Sequence, residues 1–254
     1  MSDDARCKLA YSHYLKGRDL FRTYTRDGVA AAKREWSEAI SLDPELSRAY
    51  GWLAYALLEE VQQGWASDVA ENLDAALDLA KKGVATGPAD YYAHWNLATV
   101  HLGRKEMPEA HEEFDKALAL NPDEPDLLAD VADMLSYEGK GGEAVELMMK
   151  AIKLKIPQWY YWSLGFAYFQ QKHYAQAAEA LEKMSDPPNT AYLLLVACRK
   201  KIGKPTAADA IMERLRNKDA QWTPEHLKRF PFDLKTDEAH YLSCLSDAGV
   251  PVPA

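Results

Sequence analysis

The stretch WYYWSLGFAYF, Trp159 to Phe169, puts seven aromatic side chains into eleven residues. Inside it, Tyr161, Leu164, Gly165 and Tyr168 recur at the three- and four-residue spacing of one helix face, which is the signature of an amphipathic helix. Ala177, Leu181 and Pro188 then continue in a second segment that stops at proline, a residue whose ring and missing N–H oppose helix continuation. The same order of features occurs elsewhere in the chain. Pro88 and Pro122 close two such units and lie 34 residues apart. Self-similarity at a fixed period of this size marks stacked supersecondary units, each unable to bury its apolar face alone.

The other units fit with varying quality. Ala110, Phe114, Ala117 and Pro122 form one second helix, with Leu97 and Ala98 in the helix before it. Val131, Ala132, Ala144, Met148 and Ala151 form the next, where Ile156 stands at the proline position. Upstream, Leu53 and Ala54 open a unit ending at Pro88, 44 residues after Pro44 and so ten longer than the period. Ala32, Trp36, Ala39 and Pro44 belong to the first unit. The segment LLLVACRKKIGKPTAADAIMERL is the weakest and last. The pattern resembles the tetratricopeptide repeat, in which W-x2-L-G-x2-Y is followed by A-x3-F and then proline. The expected fold is all-α: a right-handed superhelical solenoid of five to six helix-turn-helix repeats over residues 8–216, with a helical cap over 217–254.

Composition agrees with a folded chain and narrows its partners. Of 254 residues, 48% are apolar and 27% charged, enough to build cores. A formal charge of −9 repels phosphates and anionic headgroups, so neither nucleic acid nor membrane is an expected partner. The opening MSDDARCKLA has neither the basic start nor the apolar run of a secretory signal. Three widely spaced cysteines read as reduced thiols, and the expected location is cytoplasmic.

Eleven helical residues divide into two stripes. Tyr161, Leu164, Gly165 and Tyr168 take the repeat's interior positions, while Trp159, Trp162, Phe166 and Phe169 lie on the adjoining face. The first helix of each repeat, helix A, lines the concave side of this architecture, so the second stripe is expected to face a groove. The same register adds Tyr55, Glu59, Tyr92, Trp95, Thr99, Asp126, Asp133 and Tyr137. Rings with carboxylates suit cations and apolar contact. The best-known groove of this repeat takes an acidic peptide through Lys, Arg and Asn, whereas Tyr55, Thr99, Asp133 and Phe166 occupy the region here. A basic or aromatic/apolar protein segment is therefore the expected guest. A small-molecule sensor enclosing a cationic or planar ligand with the same rings is the alternative, and the chain's own C-terminus is a third possible cover.

No catalytic motif appears. There is no H-E-x-x-H, G-x-S-x-G or phosphate-binding G-x-x-x-x-G-K-[ST], and EGKGG at Gly139 reads as an inter-helix turn. His94 and His101 are seven residues apart, about 10 Å along a helix, too far to share one ion. HEEFD at His111 reads as a solvated face. No enzyme activity, cofactor or metal is expected. In the tail, Thr223 and Pro224 read as a helix start, and Thr236 as the cap of a helix ended by Gly249 and Pro251. Tyr241, Leu242, Leu245 and Ala248 would dock that helix on the last repeat.

Five stretches narrow the likeness further: HYLKGRDLF, GWASDVAENLDAALDLAKKGV, LALNPDEPDLLADVADMLSYEGK, PQWYYWSLGFAYF and RFPFDLKTDEAHYLSCLSDAGVP. Together the chain resembles the tetratricopeptide region C-terminal to bacterial class III adenylate/guanylate cyclase domains. The catalytic domain and its metal-binding aspartates have no counterpart here. The resemblance implies a regulatory interaction module without chemistry of its own.

Overall fold

The computed structural model describes residues 3–23, 25–185, 187–218, 227 and 230–253. Those residues form thirteen helices. They are α1 (Asp3–Phe21), α2 (Arg26–Leu42), α3 (Ser47–Gln63), α4 (Val69–Thr86), α5 (Tyr91–Gly103), α6 (Met107–Leu120), α7 (Pro125–Tyr137), α8 (Gly141–Leu154), α9 (Tyr160–Gln170), α10 (Tyr174–Leu181), α11 (Asn189–Lys201), α12 (Pro205–Lys218) and α13 (Lys235–Asp247). Consecutive helices from α1 to α12 pair as six hairpins, which is the all-α repeat architecture expected. Contacts divide the chain into two compact units, Met1–Pro122 and Asp123–Ala254.

The hairpin turns have a shared stereochemical device. Gly64, Lys105, Gly139, Lys172 and Gly203 each sit between the two helices of a hairpin with φ between 61° and 76°. That left-handed conformation ends helix A and sends the chain back along it. Glycine takes it freely at Gly139 and Gly203, whereas Lys105 and Lys172 carry the steric penalty of a Cβ.

The ten extra residues of the second hairpin are distributed rather than looped out. Helices α3 and α4 have 17 and 18 residues, against 13 and 14 in α5 and α6. The turn between them, residues 64–68, is two residues longer than residues 104–106. Asp68 caps α4 by accepting from the Glu71 N–H at 3.0 Å, so the insertion restarts a proper helix.

In the first unit, Tyr14, Phe21, Val29, Ala32, Trp36, Ala39, Ala49, Leu53 and Ala56 form one buried cluster. Ala54, Ala76, Ala80, Leu97 and Val100 form another. Small residues set the spacing. A Cβ on Gly51 would stand 2.7 Å from the Asn96 side chain, so α3 and α5 approach through that glycine. In the second unit, Gly165 does the same inside its hairpin, where a Cβ would meet Leu181 Cγ at 2.7 Å. At the irregular repeat ending, Lys155 leaves α8 in an extended conformation and Ile156 projects into solvent. None of the helices among the described residues is long and apolar enough to cross a membrane.

The tail departs from expectation at the start of its helix. Helix α13 begins at Lys235 with Leu234 at its cap position and no side-chain capping bond, so Thr236 lies inside its first turn instead of capping it. Asp237 and Glu238 occupy that turn, where their charge favours the helix dipole. Gly249, at φ 80°, ends the helix. The capping reading of Thr223 and Pro224 falls outside the described residues.

Candidate functional site

In the N-terminal unit the residues expected to line a groove sort into four environments. Tyr92 and Trp95, one turn apart on α5, stack with centroids 5.3 Å apart and remain half-buried. The Arg48 guanidinium lies 4.8 Å over the Tyr92 ring and is steered by Asp90, which accepts from Nε at 2.9 Å. Asp90 also caps α5, accepting from the Tyr92 N–H. A cation, two rings and a carboxylate are thus locked into one surface patch. Tyr55 belongs to a separate aromatic group, 5.5 Å from Phe21 and edge-on to Trp52 at 5.9 Å. Thr99 spends its hydroxyl within α5, donating to the Trp95 carbonyl at 3.0 Å. Glu59 departs from its expected position on an open face. It is buried, receives a bond from Gln63 Nε2 at 2.9 Å, and burial raises its carboxyl above the usual range.

The C-terminal unit changes the reading of the aromatic segment. Phe166 and Phe169 have no solvent exposure and Tyr137 is also buried, so these rings do not line an open surface. Their cover is the C-terminal segment. Phe230 stacks against Trp162 at 5.9 Å and Phe166 at 6.0 Å. Phe232 meets Tyr137 edge-on at 5.7 Å and Phe166 at 5.8 Å. Tyr241 of α13 closes on Phe166 and Phe169, and His240 stacks on Phe169 at 5.3 Å. Thus α13 docks on α9 as well as on α11, rather than on the last hairpin alone. Tyr241, Leu245 and Ala248 are buried in that contact and Leu242 is half-buried. Trp162 is half-buried, while Trp159 stays exposed, edge-on to Tyr160.

The carboxylates on α7 have unequal surroundings. Asp126 accepts from Tyr160 Oη at 2.7 Å and Lys155 Nζ at 2.8 Å, a structural tie between repeats. Asp133 accepts from Ser163 Oγ at 3.1 Å through Oδ2, while Oδ1 is sealed from water without a partner. Burial, then the like charge of Asp130, pushes its carboxyl well above the usual range, and the Ser163 bond offsets this only in part. Between about pH 4, where an unfolded aspartate titrates, and that raised value, the folded chain keeps a proton the unfolded chain has lost. Stability therefore falls as pH rises through this window. Asp133→Asn should raise stability at neutral pH by about 1 kcal/mol and flatten the decline. Urea midpoints at pH 5 and pH 8 check this, and an unchanged difference between the two would refute it.

The histidines serve packing. His94 Nδ1 pairs with Glu113 at 2.6 Å, and His101 Nδ1 with Glu106 at 2.6 Å. Glu113, expected on a solvated face, is buried against His94, and its carboxyl is lowered by Lys116 and His94 despite burial. Sequence reasoning did not pick out Arg48, Phe230 or Phe232. The last two had a readable signal, a pair of rings around Pro231 in an otherwise polar stretch.

The tetratricopeptide repeat family model matches residues 61–125. Human tetratricopeptide repeat protein 13 is 27% identical over 143 residues, covering 56% of this chain, which spans 16% of that protein. Among solved structures, pilF of Pseudomonas aeruginosa superposes with a TM-score of 0.61 at 15% identity, covering 86% of this chain and 95% of its own. A thermophilic TPR protein of Thermus thermophilus superposes with a TM-score of 0.60 at 16% identity, covering 76% of this chain and 98% of its own. At such identities the likeness concerns the fold. Proteins of this fold generally mediate protein–protein interaction and scaffolding rather than catalysis.

Proposed function

We propose that this chain of tetratricopeptide repeats is a non-enzymatic interaction module that binds an aromatic/apolar or basic protein segment on its helix A faces, in a cytoplasmic regulatory assembly. The observation that carries the reading is the chain's own segment on one such face, with Phe230 stacked on Trp162 and Phe166. A wall of this composition accepts a polypeptide, which favours a segment over a planar metabolite as guest. In the N-terminal unit, Tyr92, Trp95 and Arg48 offer a surface of the same chemistry that stays half-buried. Large rings held rigidly give contact area at low entropic cost and dominate binding energy where they occur. The resemblance to cyclase-associated repeats supports the regulatory part.

Selection of a displayed random-peptide library on the full chain tests this. Recovered peptides should be rich in aromatic and basic residues. Trp95→Ala and Tyr92→Ala should each weaken them at least tenfold, about 1.4 kcal/mol, with helical content and melting temperature retained. Equal binding by both variants would overturn the proposal for this patch.

A further inference from the structure

The inner wall of the C-terminal unit holds its occupant in the way a groove reads a peptide. Two rings, Phe230 and Phe232, insert among Trp162, Phe166 and Tyr137, and Pro231 between them centres a tight turn in which the Phe232 N–H donates to the Phe230 carbonyl at 2.9 Å. The Asp233 N–H then donates to the Tyr137 carbonyl at 3.1 Å. Tyr137 is the last residue of α7, so that carbonyl has no partner within its own helix. Main-chain pairing for affinity and ring pockets for specificity are the usual division in peptide recognition.

The occupant nevertheless leaves the wall unsatisfied. Asp133 Oδ1 and Trp162 Nε1 are buried without a hydrogen-bond partner. Both lie on this wall. Asp133 is one turn before Tyr137 on α7, and its carboxylate bonds Ser163, the neighbour of Trp162. Native interiors leave few such atoms unmet, because each costs the full desolvation of the group. A permanent filler would be expected to meet them, whereas a segment that exchanges with another need not.

We propose that residues 230–248 are an exchangeable internal occupant of this wall. Its partner is then a polypeptide segment carrying an aromatic–proline–aromatic run together with a cationic donor for Asp133. This rests on the interaction-module reading and specifies the partner for the C-terminal unit. The charge argument is local: Asp126, Asp130 and Asp133 follow one stripe of α7 that ends at Tyr137, and Asp126 is already neutralised by Lys155. A basic side chain, displacing the proton that burial holds on Asp133, is the complement that the tail's FPFDL does not supply.

The test uses the full chain and a fluorescein-labelled peptide copying residues 230–238, FPFDLKTDE. A double variant, Phe230→Ser with Phe232→Ser, should bind this probe at least tenfold more tightly than the unaltered chain. Arginine placed in turn at each non-aromatic position of the probe should give at least one further tenfold gain, and Asp133→Ala should abolish that gain. Equal affinity of the folded variant and the unaltered chain would overturn the exchange, and no gain from any arginine would overturn the cationic partner. Should the double variant not fold, hydrogen exchange on the unaltered chain decides. The Asp233 and α13 amides should open while α7 and α9 stay protected, and opening only with global unfolding would overturn the proposal. The Asp133→Ala comparison and hydrogen exchange at Asp233 and along α13 read the C-terminal wall alone, so failure of the N-terminal patch is separable from failure here.

Discussion

Phe166→Ala should cost the C-terminal unit about 3–5 kcal/mol, the range for emptying a buried phenylalanine site. The ring has no exposure and is the meeting point of five others: Tyr137 at 5.2 Å, Trp162 at 5.4 Å, Phe230 at 6.0 Å, Phe232 at 5.8 Å and Tyr241 at 6.2 Å. These come from α7, α9 and the C-terminal segment, so truncation opens a cavity that no single element can close. Cavity cost depends on how far the site collapses. Here, collapse would require the tail and α7 to move toward each other while the Asp233–Tyr137 bond fixes their spacing. The tail should therefore lose protection first, visible as faster hydrogen exchange at Asp233 and along α13, followed by a lower denaturant midpoint for the unit. Phe169→Ala is the internal comparison, since that ring is equally buried but contacts His240 and Tyr174 instead of Phe230 and Phe232. A loss under about 1 kcal/mol at Phe166, well below the usual cavity cost, would mean that the tail's rings repack without it.

The helical layout was legible because it rests on local chemistry. Prolines that end helices, small residues at crossing points and glycines in turns each act within a few residues of their own position. The repeat's alanines and Gly165 accordingly appear where close approach demands them. The aromatic face was legible as composition but not as environment. Helical register set Phe166 and Phe169 on a face apart from Tyr161, Leu164, Gly165 and Tyr168, yet Tyr161 and Tyr168 are only half-buried while both phenylalanines are fully buried. What covers a face is a long-range fact, and the cover lies far along the chain at Phe230 and Phe232. Glu59 and Glu113 show the same limit for charge. A carboxylate in a helical pattern does not reveal its burial unless its partner, Gln63 or His94, is already known. Arg48 shows it for binding, since its position over Tyr92 depends on how α3 crosses α5.

The first hairpin provides a sharper test of what joins one repeat to the next. Trp36 is its centre. It has no exposure, stacks on Trp52 of α3 at 5.7 Å, contacts Phe21 of α1 at 5.8 Å, and donates from Nε1 to the Tyr14 carbonyl at 3.2 Å. One side chain on α2 thus joins three helices, and it fits because Gly17 presents no Cβ to it; a Cβ there would lie 2.5 Å from Nε1. Trp36→Ala should cost about 3–5 kcal/mol, and Trp36→Phe, which keeps most of the buried area and gives up the hydrogen bond, about 1–2 kcal/mol. Because α1 packs chiefly on α2, the alanine variant should lose α1 before the rest of the unit, as a fall in helical content preceding the main thermal transition. If the two substitutions cost the same, the hydrogen bond to Tyr14 would outweigh the packing. A single undivided transition in Trp36→Ala would show instead that α1 is held by contacts other than this indole.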